Sequence, residues 1–477
     1  MTKESLPVTK VLSRKFNLLP AGKRSLGWLT FGIGIKRWAV LAIVGLILAA
    51  LGASLSLAYV SVDFSLWVME TITGFTHTIV DSSTLGVACL LAGVICVAIG
   101  LRGTFKAVER VYSNGNSHGS DFLETALRQR EMDQGERVVA IGGGTGLSTM
   151  LRGLKAYSSN ITAVVTMADD GGSSGKLREQ GMLPPGDLRN CIAALADTEP
   201  LMEELFQHRF RGLGPLQGHS LGNLIMAAFS EMRGDFASAV KEAAKVLAIR
   251  GQVLPSTLEE VRLGAKCIDG TCVEGQSKIN QTKDIDHVYL LPEKPRALPA
   301  VIEAIQDAEI IIIGPGSLFT SILPNLLVPE IAAAIKASTA PKIYVCNVMT
   351  QPHETDDYKA SDHLRAIKRH AGSDLVTHIL VNTGRITEET QARYAKTGAR
   401  IVEADVDALR ILGVRPIKGN FIDVTNVVRP NPKKLASVIF RLIELLKRIS
   451  HSASYLKSSF NNVGAKNEIL VRLGSRT

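Results

Sequence analysis

Apolar positions along the chain follow two different patterns. Residues 38–60 and 84–101 form two long runs without a charged side chain. Either run is long enough to cross a hydrocarbon core of about 30 Å. From Arg137 onwards the apolar runs are short and rich in β-branched residues, and they alternate with helical patterns. These patterns predict a two-helix transmembrane hairpin followed by an α/β domain.

The short runs are typical of strands that are buried on both faces. They read RVVAIG, ITAVVTMA, AEIIIIG, KIYVCNV and LVTHILVN. Helical segments such as LPAVIEAIQDA and ASDHLRAIKRHAG lie between several of them, and NPKKLASVIFRLIELLKRIS ends the series. Buried strands separated by helices indicate a doubly wound, mainly parallel sheet covered on both faces. Such sheets bind ligands at the carboxyl ends of their strands.

The same patterns divide the chain into five segments. A basic segment covers residues 1–37, the transmembrane hairpin covers 38–101, and a linker with a short helix covers 102–136. The α/β domain occupies 137–450, and a flexible basic tail occupies 451–477. Within the linker, polar YSNGNSHGS precedes DFLETALRQREM, which we expect to form the short helix because it begins with a good N-cap aspartate.

Basic residues beside the long runs predict the orientation of the hairpin. The loop 61–83 between the runs has acids but no Lys or Arg. The basic residues on the other side of the runs are Lys3, Lys10, Arg14, Lys15, Lys23, Arg24, Lys36, Arg37, Arg102, Lys106 and Arg110. Because short basic flanks stay in the cytoplasm, both termini are predicted to be cytoplasmic. The protein is then a multi-pass protein of the cell inner membrane whose main domain faces the cytoplasm.

The charge distribution and the cysteine content argue against a nucleic-acid partner, a zinc site and a disulfide framework. The net charge of +9 is concentrated beside the long runs and in the tail, where it favours anionic lipid over nucleic acid. Of six cysteines only Cys267 and Cys272 lie close together, across an Asp-Gly turn typical of a hairpin. Because no further ligands follow at zinc spacing, we predict free thiols and neither a zinc site nor a disulfide framework.

The first candidate site is the glycine turn after the first strand. It consists of Gly142, Gly143, Gly144, Thr145 and Gly146. The turn fits neither the dinucleotide-binding spelling nor the Walker spelling, because its third glycine comes one residue early and no Gly-Lys pair follows. The backbone N–H groups of such a turn can still bind an anion at a helix N-terminus. The alternative is a turn whose glycines serve only close packing of strand and helix.

A polar loop follows the second strand. Asp169 and Asp170 stand where a doubly wound fold places a ribose-binding carboxylate, and adjacent carboxylates also suit Mg²⁺ beside a diphosphate. We assign Asp170 to that metal. Ser173, Ser174 and Lys176 add hydroxyl groups and an ammonium group that suit an anion. The alternative is a solvated loop without a ligand.

Two further motifs carry polar side chains between the second strand and the middle of the chain. In PPGDLRN, Asp187 is either a plain N-cap or a third carboxylate of the site, and Asn190 follows it. GHSLGN matches the nucleophile elbow of hydrolases, with Ser220 as nucleophile, but no apolar strand precedes it. His219 and Asn223 are therefore expected to bind a polar ligand or a neighbouring loop.

A second strand–glycine–helix unit repeats the pattern of the first. Gly314, Gly316 and Ser317 follow the strand IIII, and Asn347 follows the next strand and begins a polar loop. Two anion-binding loops in one sheet suit a ligand with two separated polar parts. A nucleoside diphosphate sugar is such a ligand.

Taken together, these motifs resemble the YvcK-type gluconeogenesis factor family, which belongs with the CofD-like 2-phospholactate transferases. The motifs are VVAIGGGTGLSTMLRGLK, ITAVVTMADDGGSSGKLR, PPGDLRN, LFQHRF, GHSLGN, IIGPGSLFTSILPNLLVP and CNVMTQPHETDDY. The resemblance runs from Arg137 to the last long helix. It implies a Rossmann-like domain that binds UDP-sugars such as UDP-N-acetylglucosamine. It also implies a role in growth on gluconeogenic carbon sources and in cell shape.

The resemblance also implies which residues contact the nucleotide sugar. By matching motif they are the first glycine turn, Asp169, Asp170, Asn223 and the turn from Gly314 to Ser317. Tyr394 is assigned to stack on uracil, and Arg429 is assigned to the diphosphate.

The sequence departs from the family pattern in three ways. His353 and Asp357 stand where family members tend to carry glycine. In PPGDLRN, Arg189 and Asn190 stand where the transferase branch carries a second acid, which weakens inheritance of the transferase reaction. The membrane hairpin is absent from the shortest members.

We therefore predict a membrane-tethered UDP-sugar-binding regulator that is not obviously an enzyme. The expected assembly is a homodimer, and the sequence does not identify a regulatory protein partner. The alternative is a Mg²⁺-dependent transferase that moves a phosphate-bearing group from a nucleotide diphosphate donor. Its candidate catalytic residues are Asp169, Asp170 and Asp187. A third reading is a scaffold whose hairpin and tail recruit partners.

Overall fold

A computed structural model of the chain describes residues 35–57, 82–112, 129–197, 200–212, 214–384, 386–424 and 428–448. Residues 1–34 of the basic N-terminal segment, the loop 58–81, residues 113–128 of the linker, which include the start of its predicted short helix, and the tail after residue 448 lie outside the described residues. The chain divides into two units, Met1–Glu131 and Met132–Thr477.

The first unit contains two apolar helices, α1 (Ile35–Leu57) and α2 (Ser82–Tyr112), which pack against each other. Glycine brings their backbones together. A Cβ atom built on Gly45 would lie 2.7 Å from the Gly93 carbonyl oxygen, and one on Gly93 would lie 2.4 Å from the Ala49 amide nitrogen. Small residues allow this close approach between apolar helices.

Large apolar side chains cover the outward faces of both helices and remain exposed. They include Val40, Ile43, Leu46, Ile47, Val87, Leu91, Val94 and Ile95. By length and composition, Val87–Thr104 could cross a membrane, whereas the apolar stretch of α1, Val40–Ala53, is shorter. Within the described residues, a bent pair of helices at Leu318–Leu326 and Pro329–Ala337 also passes the composition test, and it belongs to the second unit. Insertion of the hairpin in a membrane stays a prediction.

The second unit is built on a seven-stranded parallel sheet. Its strands are β1 (Val138–Gly142), β2 (Ile161–Val165), β3 (Gln252–Pro255), β7 (Ile310–Ile313), β8 (Lys342–Val345), β9 (His378–Asn382) and β10 (Arg415–Gly419). Their order in the sheet is β10–β9–β8–β7–β1–β2–β3. The predicted α/β fold with a doubly wound parallel sheet is confirmed.

Two small antiparallel sheets complete the strands. One contains β4 (Arg262–Cys267), β5 (Cys272–Glu274) and β6 (Ile285–Leu291), and the other contains β11 (Ile422–Val424) and β12 (Val428–Pro430). The turn from β4 to β5 carries Asp269 and Gly270, so the predicted hairpin is present. Cys267 and Cys272 are free thiols.

Helices fill the connections. In chain order they are α3 (Gly144–Leu154), α4 (Gly172–Arg178), α5 (Gly186–Leu195), α6 (Pro200–Gln207), α7 (Leu221–Arg233), α8 (Phe236–Val246), α9 (Gln276–Ile279), α10 (Pro299–Gln306), α11 (Leu323–Leu326), α12 (Pro329–Ala337), α13 (Ala360–Ala371), α14 (Glu388–Ala395), α15 (Val406–Ile411) and α16 (432–448). A five-residue π-helix, Leu318–Ile322, precedes α11.

The centre of the sheet is buried on both faces. All five residues of β1 and all four of β7 are buried. Burying an isoleucine side chain contributes roughly 1.5–3 kcal/mol, so the four isoleucines of β7 stabilise this part of the sheet strongly. On α3, Leu147, Leu151 and Leu154 recur at helical spacing and are fully buried.

The strand order reverses between β1 and β7. From β1 the chain continues to β2, which lies on one side of this pair of strands. From β7 it continues to β8, which lies on the other side. Loops that follow two such strands diverge and leave a crevice at the carboxyl edge of the sheet. Both predicted glycine turns follow these two strands, so the fold brings them together at the crevice.

Gly153→Ala tests the packing of α3 against the last helix. A Cβ atom at this position would lie 2.1 Å from the Pro432 carbonyl oxygen. In an open helix the change stabilises by up to about 1 kcal/mol. Here the backbone clash should instead lower the free energy of unfolding by about 1–3 kcal/mol, as measured by thermal unfolding of the full chain.

Arg152→Ala on the same helix is the control. It removes only a partly exposed ion pair with Glu203, whose nitrogen–oxygen distance is 2.7 Å, so it should cost less than about 1 kcal/mol. A Gly153→Ala variant as stable as the wild type would contradict the packing described here.

Candidate functional site

A cavity of about 630 Å³ lies at the reversal of strand order. Seven predicted site residues line it: Gly143, Thr145, Gly146, Gly316, Ser317, Asn347 and Tyr394. The remaining lining residues are Thr149, Pro315, Ser321, Val348, Met349, Thr350, Gln351, Pro352, Thr397, Ala399 and Pro430. None of these side chains is charged, so the cavity offers hydroxyl, amide and backbone groups to a ligand.

Asp187 occupies the start of α3, where the first glycine turn is predicted to hold a phosphate. Its carboxylate accepts a hydrogen bond from the Gly144 N–H group. A Cβ atom on Gly143 would lie 2.7 Å from Asp187 Oδ2 and 2.8 Å from Thr166 Cγ2. Glycine is therefore required at position 143 because the carboxylate of Asp187 fills the space of a side chain.

Close packing explains another glycine of the turn. A Cβ atom on Gly146 would lie 2.5 Å from the Pro315 carbonyl oxygen, so the loops after β1 and β7 touch at this point. Gly144 has a φ of 59°, which favours glycine. The packing alternative for this turn is thus correct in part, although Gly143 and Gly146 also line the cavity.

Glu354 has the same role at the second glycine turn. Its Oε1 accepts a hydrogen bond from the Phe319 N–H group at 2.6 Å and another from the Ser317 hydroxyl. The side chain is buried, and burial raises the pKa of Glu354 although these hydrogen bonds lower it. A carboxylate from the loop after β8 therefore satisfies the start of the π-helix. The sequence shows Glu354 only as one polar residue of that loop, so its role is not predicted.

Asn347 holds the loop after β7 through a paired contact with Gly316. Its Nδ2 donates to the Gly316 carbonyl at 2.8 Å, and its Oδ1 accepts from the Gly316 N–H at 3.3 Å. The same Nδ2 lies 3.3 Å from Gln351 Oε1, so the Gln351 amide nitrogen remains as the donor of that side chain. The predicted residue Asn347 thus shapes the cavity as well as lining it.

Non-glycine residues adopt left-handed conformations in the loop that carries Glu354. His353 has a φ of 73° and Asp357 a φ of 56°. Glycine adopts such values without strain, so these two positions favour it. Asp and His tolerate them better than most residues. The loop therefore keeps its turn geometry without glycine at either position.

The three predicted acids are not equivalent. Asp170 is bonded to the protein, because its Oδ1 accepts from the Ser277 N–H at 2.8 Å and from the Ser277 hydroxyl at 2.6 Å. Repulsion from Asp169 raises the pKa of Asp187, and repulsion from Asp170 raises that of Asp169. A Cβ atom on Gly186 would lie 2.9 Å from Asp169 Oδ2.

Burial dominates the titration of this pair. Burial, and then repulsion from Asp169, raise the pKa of Asp187 to about 7, against the lowering effect of the Gly144 N–H group. Burial also raises the pKa of Asp169, although the Gly171 N–H and the Ser174 hydroxyl act against it. The half-buried Asp187 carboxyl group therefore exchanges its proton near neutral pH.

Five other predicted residues do not line the cavity. Ser173, His219 and Asn223 form a buried hydrogen-bonded network with Arg189, which also donates to Asn190 Oδ1 at 2.9 Å. Ser220 is the N-cap of α7 and accepts from Arg189, so it has the position of a cap and not that of a hydrolase nucleophile. The Lys176 side chain is exposed beside this network.

The remaining predicted residues, Gly142, Gly314 and Arg429, lie in strands or in the second glycine turn. The Gly142 carbonyl accepts from Asn325 Nδ2 at 2.9 Å, and Gly314 has a φ of 79°. Arg429 lies in β12 opposite Asp423, next to Pro430 of the cavity lining. Asn325 lies within the motif IIGPGSLFTSILPNLLVP but is not singled out there, and Thr397 of the cavity lining is not predicted as a site residue either.

Known proteins resemble the second unit over most of its length. The profile of the CofD family, described as 2-phospho-L-lactate transferase CofD, matches residues 138–422. The chain belongs to the CofD family. A gluconeogenesis factor from Bacillus subtilis is 49% identical over 319 residues, which cover 66% of this chain and 100% of the relative.

Further relatives of this CofD-family protein place it with the gluconeogenesis factors, as the motifs predict. A relative from Nostoc sp. is 46% identical over 422 residues, which cover 87% of this chain and 91% of that protein. A crystal structure of a UPF0052-family protein from Bacillus halodurans has 50% identity and a TM-score of 0.62. That match covers 64% of this chain and 99% of the solved chain.

Asp187→Asn tests the buried proton of this CofD-family protein. The folded pKa of Asp187 is about 7 and its ordinary value is 3.8, so between these values the folded protein keeps a proton that the unfolded chain releases. The resulting stability is complete below the ordinary pKa and is lost as pH rises towards the folded pKa. In the wild type, the free energy of unfolding should therefore fall with pH by at most about 1.4 kcal/mol per pH unit. The variant should lose this pH dependence and should be more stable than the wild type above the folded pKa.

Urea unfolding of the full chain across this pH window measures the effect. Asp235→Asn is the control, because Asp235 is an exposed N-cap whose pKa is lowered by Ser238. The control should not reproduce the stabilisation. An unchanged pH dependence in Asp187→Asn would show that Asp187 is ionised in the folded protein.

Proposed function

We propose that the cavity binds a UDP-sugar such as UDP-N-acetylglucosamine and that the protein is a regulator in gluconeogenic growth and cell shape. The observation that carries the proposal is the uncharged cavity between the loops after β1 and β7. Its position is the one at which doubly wound sheets bind nucleotides. The gluconeogenesis factor name of the relatives supports the regulatory part.

The chemistry of the lining suits the separate parts of such a ligand. The first N–H groups of α3 lack partners within the helix, so Thr145 and Gly146 present donors to a diphosphate. The Thr397 hydroxyl, whose proton goes to the Tyr394 carbonyl, can accept a hydrogen bond from a sugar or a uracil ring, and the amide nitrogen of Gln351 can donate to one. Tyr394 lines the same cavity and offers a ring face to the base.

Binding without turnover is favoured by the positions of the acids. The described lining of the cavity contains no carboxylate and no histidine. Asp187 and Glu354 lie behind it and are occupied by backbone N–H groups. A general acid or base must reach the reacting group of the substrate, and these two side chains are committed to the protein.

The proposal includes tethering to the cell inner membrane with the second unit in the cytoplasm. The exposed apolar faces of α1 and α2 support it, because such surfaces are costly in water. The glycine contact between the two helices is also typical of membrane helices.

A Mg²⁺-dependent transferase is the second candidate, and the Asp169–Asp187 pair favours it. Two carboxylates close enough for Asp169 to raise the pKa of Asp187 suit a divalent cation that takes few protein ligands. Asp170 is bonded to Ser277 and does not join them. Among the described residues no group of three acidic, histidine or cysteine side chains could hold a metal. Mg²⁺ on the pair would supply charge neutralisation for a phosphate, and the two residues would orient it.

Adding UDP-N-acetylglucosamine to the full chain should raise its melting temperature. A ligand that binds only the folded state stabilises it, by about 2.7 kcal/mol at a hundredfold excess over Kd. Thr145→Glu should abolish the increase, because the new carboxylate would repel the diphosphate in the cavity. Thr145→Gln, of similar size without the charge, is the matched control and should retain most of it.

Differential scanning fluorimetry in detergent measures both variants. An unchanged melting temperature of the wild type at roughly millimolar ligand would refute UDP-sugar binding. Mg²⁺-dependent release of UDP that is lost in Asp169→Asn would favour the transferase instead.

A further inference from the structure

A basic cluster stands apart from the cavity lining. It consists of Lys176, Arg209 and His219. Lys176 Nζ donates to the Gln217 carbonyl at 3.0 Å, and Arg209 Nη1 donates to the next carbonyl, that of Gly218. The two cationic groups therefore meet on successive carbonyls, immediately before His219. Both side chains are exposed, so a solute has access to them.

Hydrogen bonds behind the cluster fix the orientation of His219. Arg189 has only donors, and its Nη1 lies 3.1 Å from Asn223 Oδ1. The Asn223 amide nitrogen therefore faces the Ser173 hydroxyl, to which it donates at 2.9 Å. Ser173 Oγ thus accepts from Asn223 and shares a hydrogen bond with His219 Nδ1 at 3.0 Å. When Ser173 donates to Nδ1, the neutral ring carries its proton on Nε2, which is then a donor.

Arg189 lies behind the cluster, and its charge is incompletely balanced. Within the described part of the chain, no carboxylate lies within ion-pair distance of Lys176, Arg209 or Arg189. Arg189 is only 7% exposed, and its Nε has no hydrogen-bond partner. Burial, and then repulsion from Arg209, lower the pKa of Arg189 to about 10, although Asp187 and Asp169 act in the opposite direction. Positive charge therefore predominates around Lys176 and Arg209.

The charge environment also keeps His219 neutral. Burial, and then repulsion from Lys176 and Arg209, lower the pKa of His219. The cluster therefore presents an exposed ammonium group and an exposed guanidinium group beside the neutral ring of His219, which is 6% exposed. This set of donors matches the oxygens of a phosphate group, which the guanidinium can bind with two N–H groups.

We propose that Lys176, Arg209 and His219 form a second anion site, separate from the cavity, that binds the phosphate group of a small soluble metabolite. The site goes beyond the proposed binding of a UDP-sugar and does not depend on it. None of the three residues lines the cavity, whereas the proposed diphosphate position lies at Thr145 and Gly146. A protein with both sites would respond to two metabolites.

Equilibrium dialysis of the full chain in detergent with labelled inorganic phosphate tests the proposal at constant ionic strength. The wild type should bind phosphate saturably. The Lys176→Gln/Arg209→Gln variant should bind it at least about tenfold more weakly, because two charge-assisted hydrogen bonds are lost. Lys266→Gln, at an exposed position on β4, is the matched control and should bind as the wild type does.

The single Lys176→Gln variant should show an intermediate loss, and circular dichroism checks that each variant is folded. A second arm repeats the dialysis with saturating UDP-N-acetylglucosamine, and phosphate binding should persist. Equal binding by wild type and the double variant, or no saturable binding at all, would overturn the proposal. Displacement of phosphate by the nucleotide sugar would also overturn it, because the phosphate would then occupy the nucleotide's own site.

Discussion

Two carboxylates of the protein occupy the helix starts that the sequence predicts as anion sites. Asp187 accepts from the Gly144 N–H group, and Glu354 accepts from the Phe319 N–H group. A negative charge at a helix N-terminus is stabilised by the backbone dipoles and by hydrogen bonds. Both side chains come from other parts of the chain, so they tie the loops after β1 and β7 to their neighbours. The shape of the cavity between these loops depends on this arrangement.

One consequence is the division of charge at the carboxyl edge of the sheet. The described cavity lining is uncharged, whereas Lys176, Arg209 and His219 form a basic cluster outside it. The charges of Asp169 and Asp187 connect the two regions. Asp187 touches the first glycine turn, and both acids raise the pKa of Arg189, which Arg209 of the cluster lowers. Protonation of Asp187 near neutral pH would therefore change the field at the cavity and at the cluster together.

Much of the fold could be predicted from the sequence, and the reasons for the exceptions are physical. The five predicted strands are buried on both faces, so their apolar runs are unmistakable. Both edge strands are missed: β3 is QVLP and β10 is RPIKG, short segments with polar residues. An edge strand is paired on one side only, so its pattern is weaker.

The candidate site is predicted in position but not in its contents. Both glycine turns lie at the predicted edge of the sheet, because a turn between strand and helix has local signals. The occupation of the first turn by Asp187 depends on a contact between residues more than 40 positions apart, for which no local pattern exists. For the same reason the sequence could not separate His219 and Lys176 from the residues of the cavity.

A crystal structure of the full chain with UDP-N-acetylglucosamine tests the central claim most directly. The account predicts a diphosphate beside Thr145 and Gly146, with Asp187 still bonded to the Gly144 N–H group and Glu354 to that of Phe319. The uracil and sugar should contact the loops after β7 and β8. A diphosphate that displaces the Asp187 carboxylate from the glycine turn, or one bound among Lys176, Arg209 and His219, would contradict it.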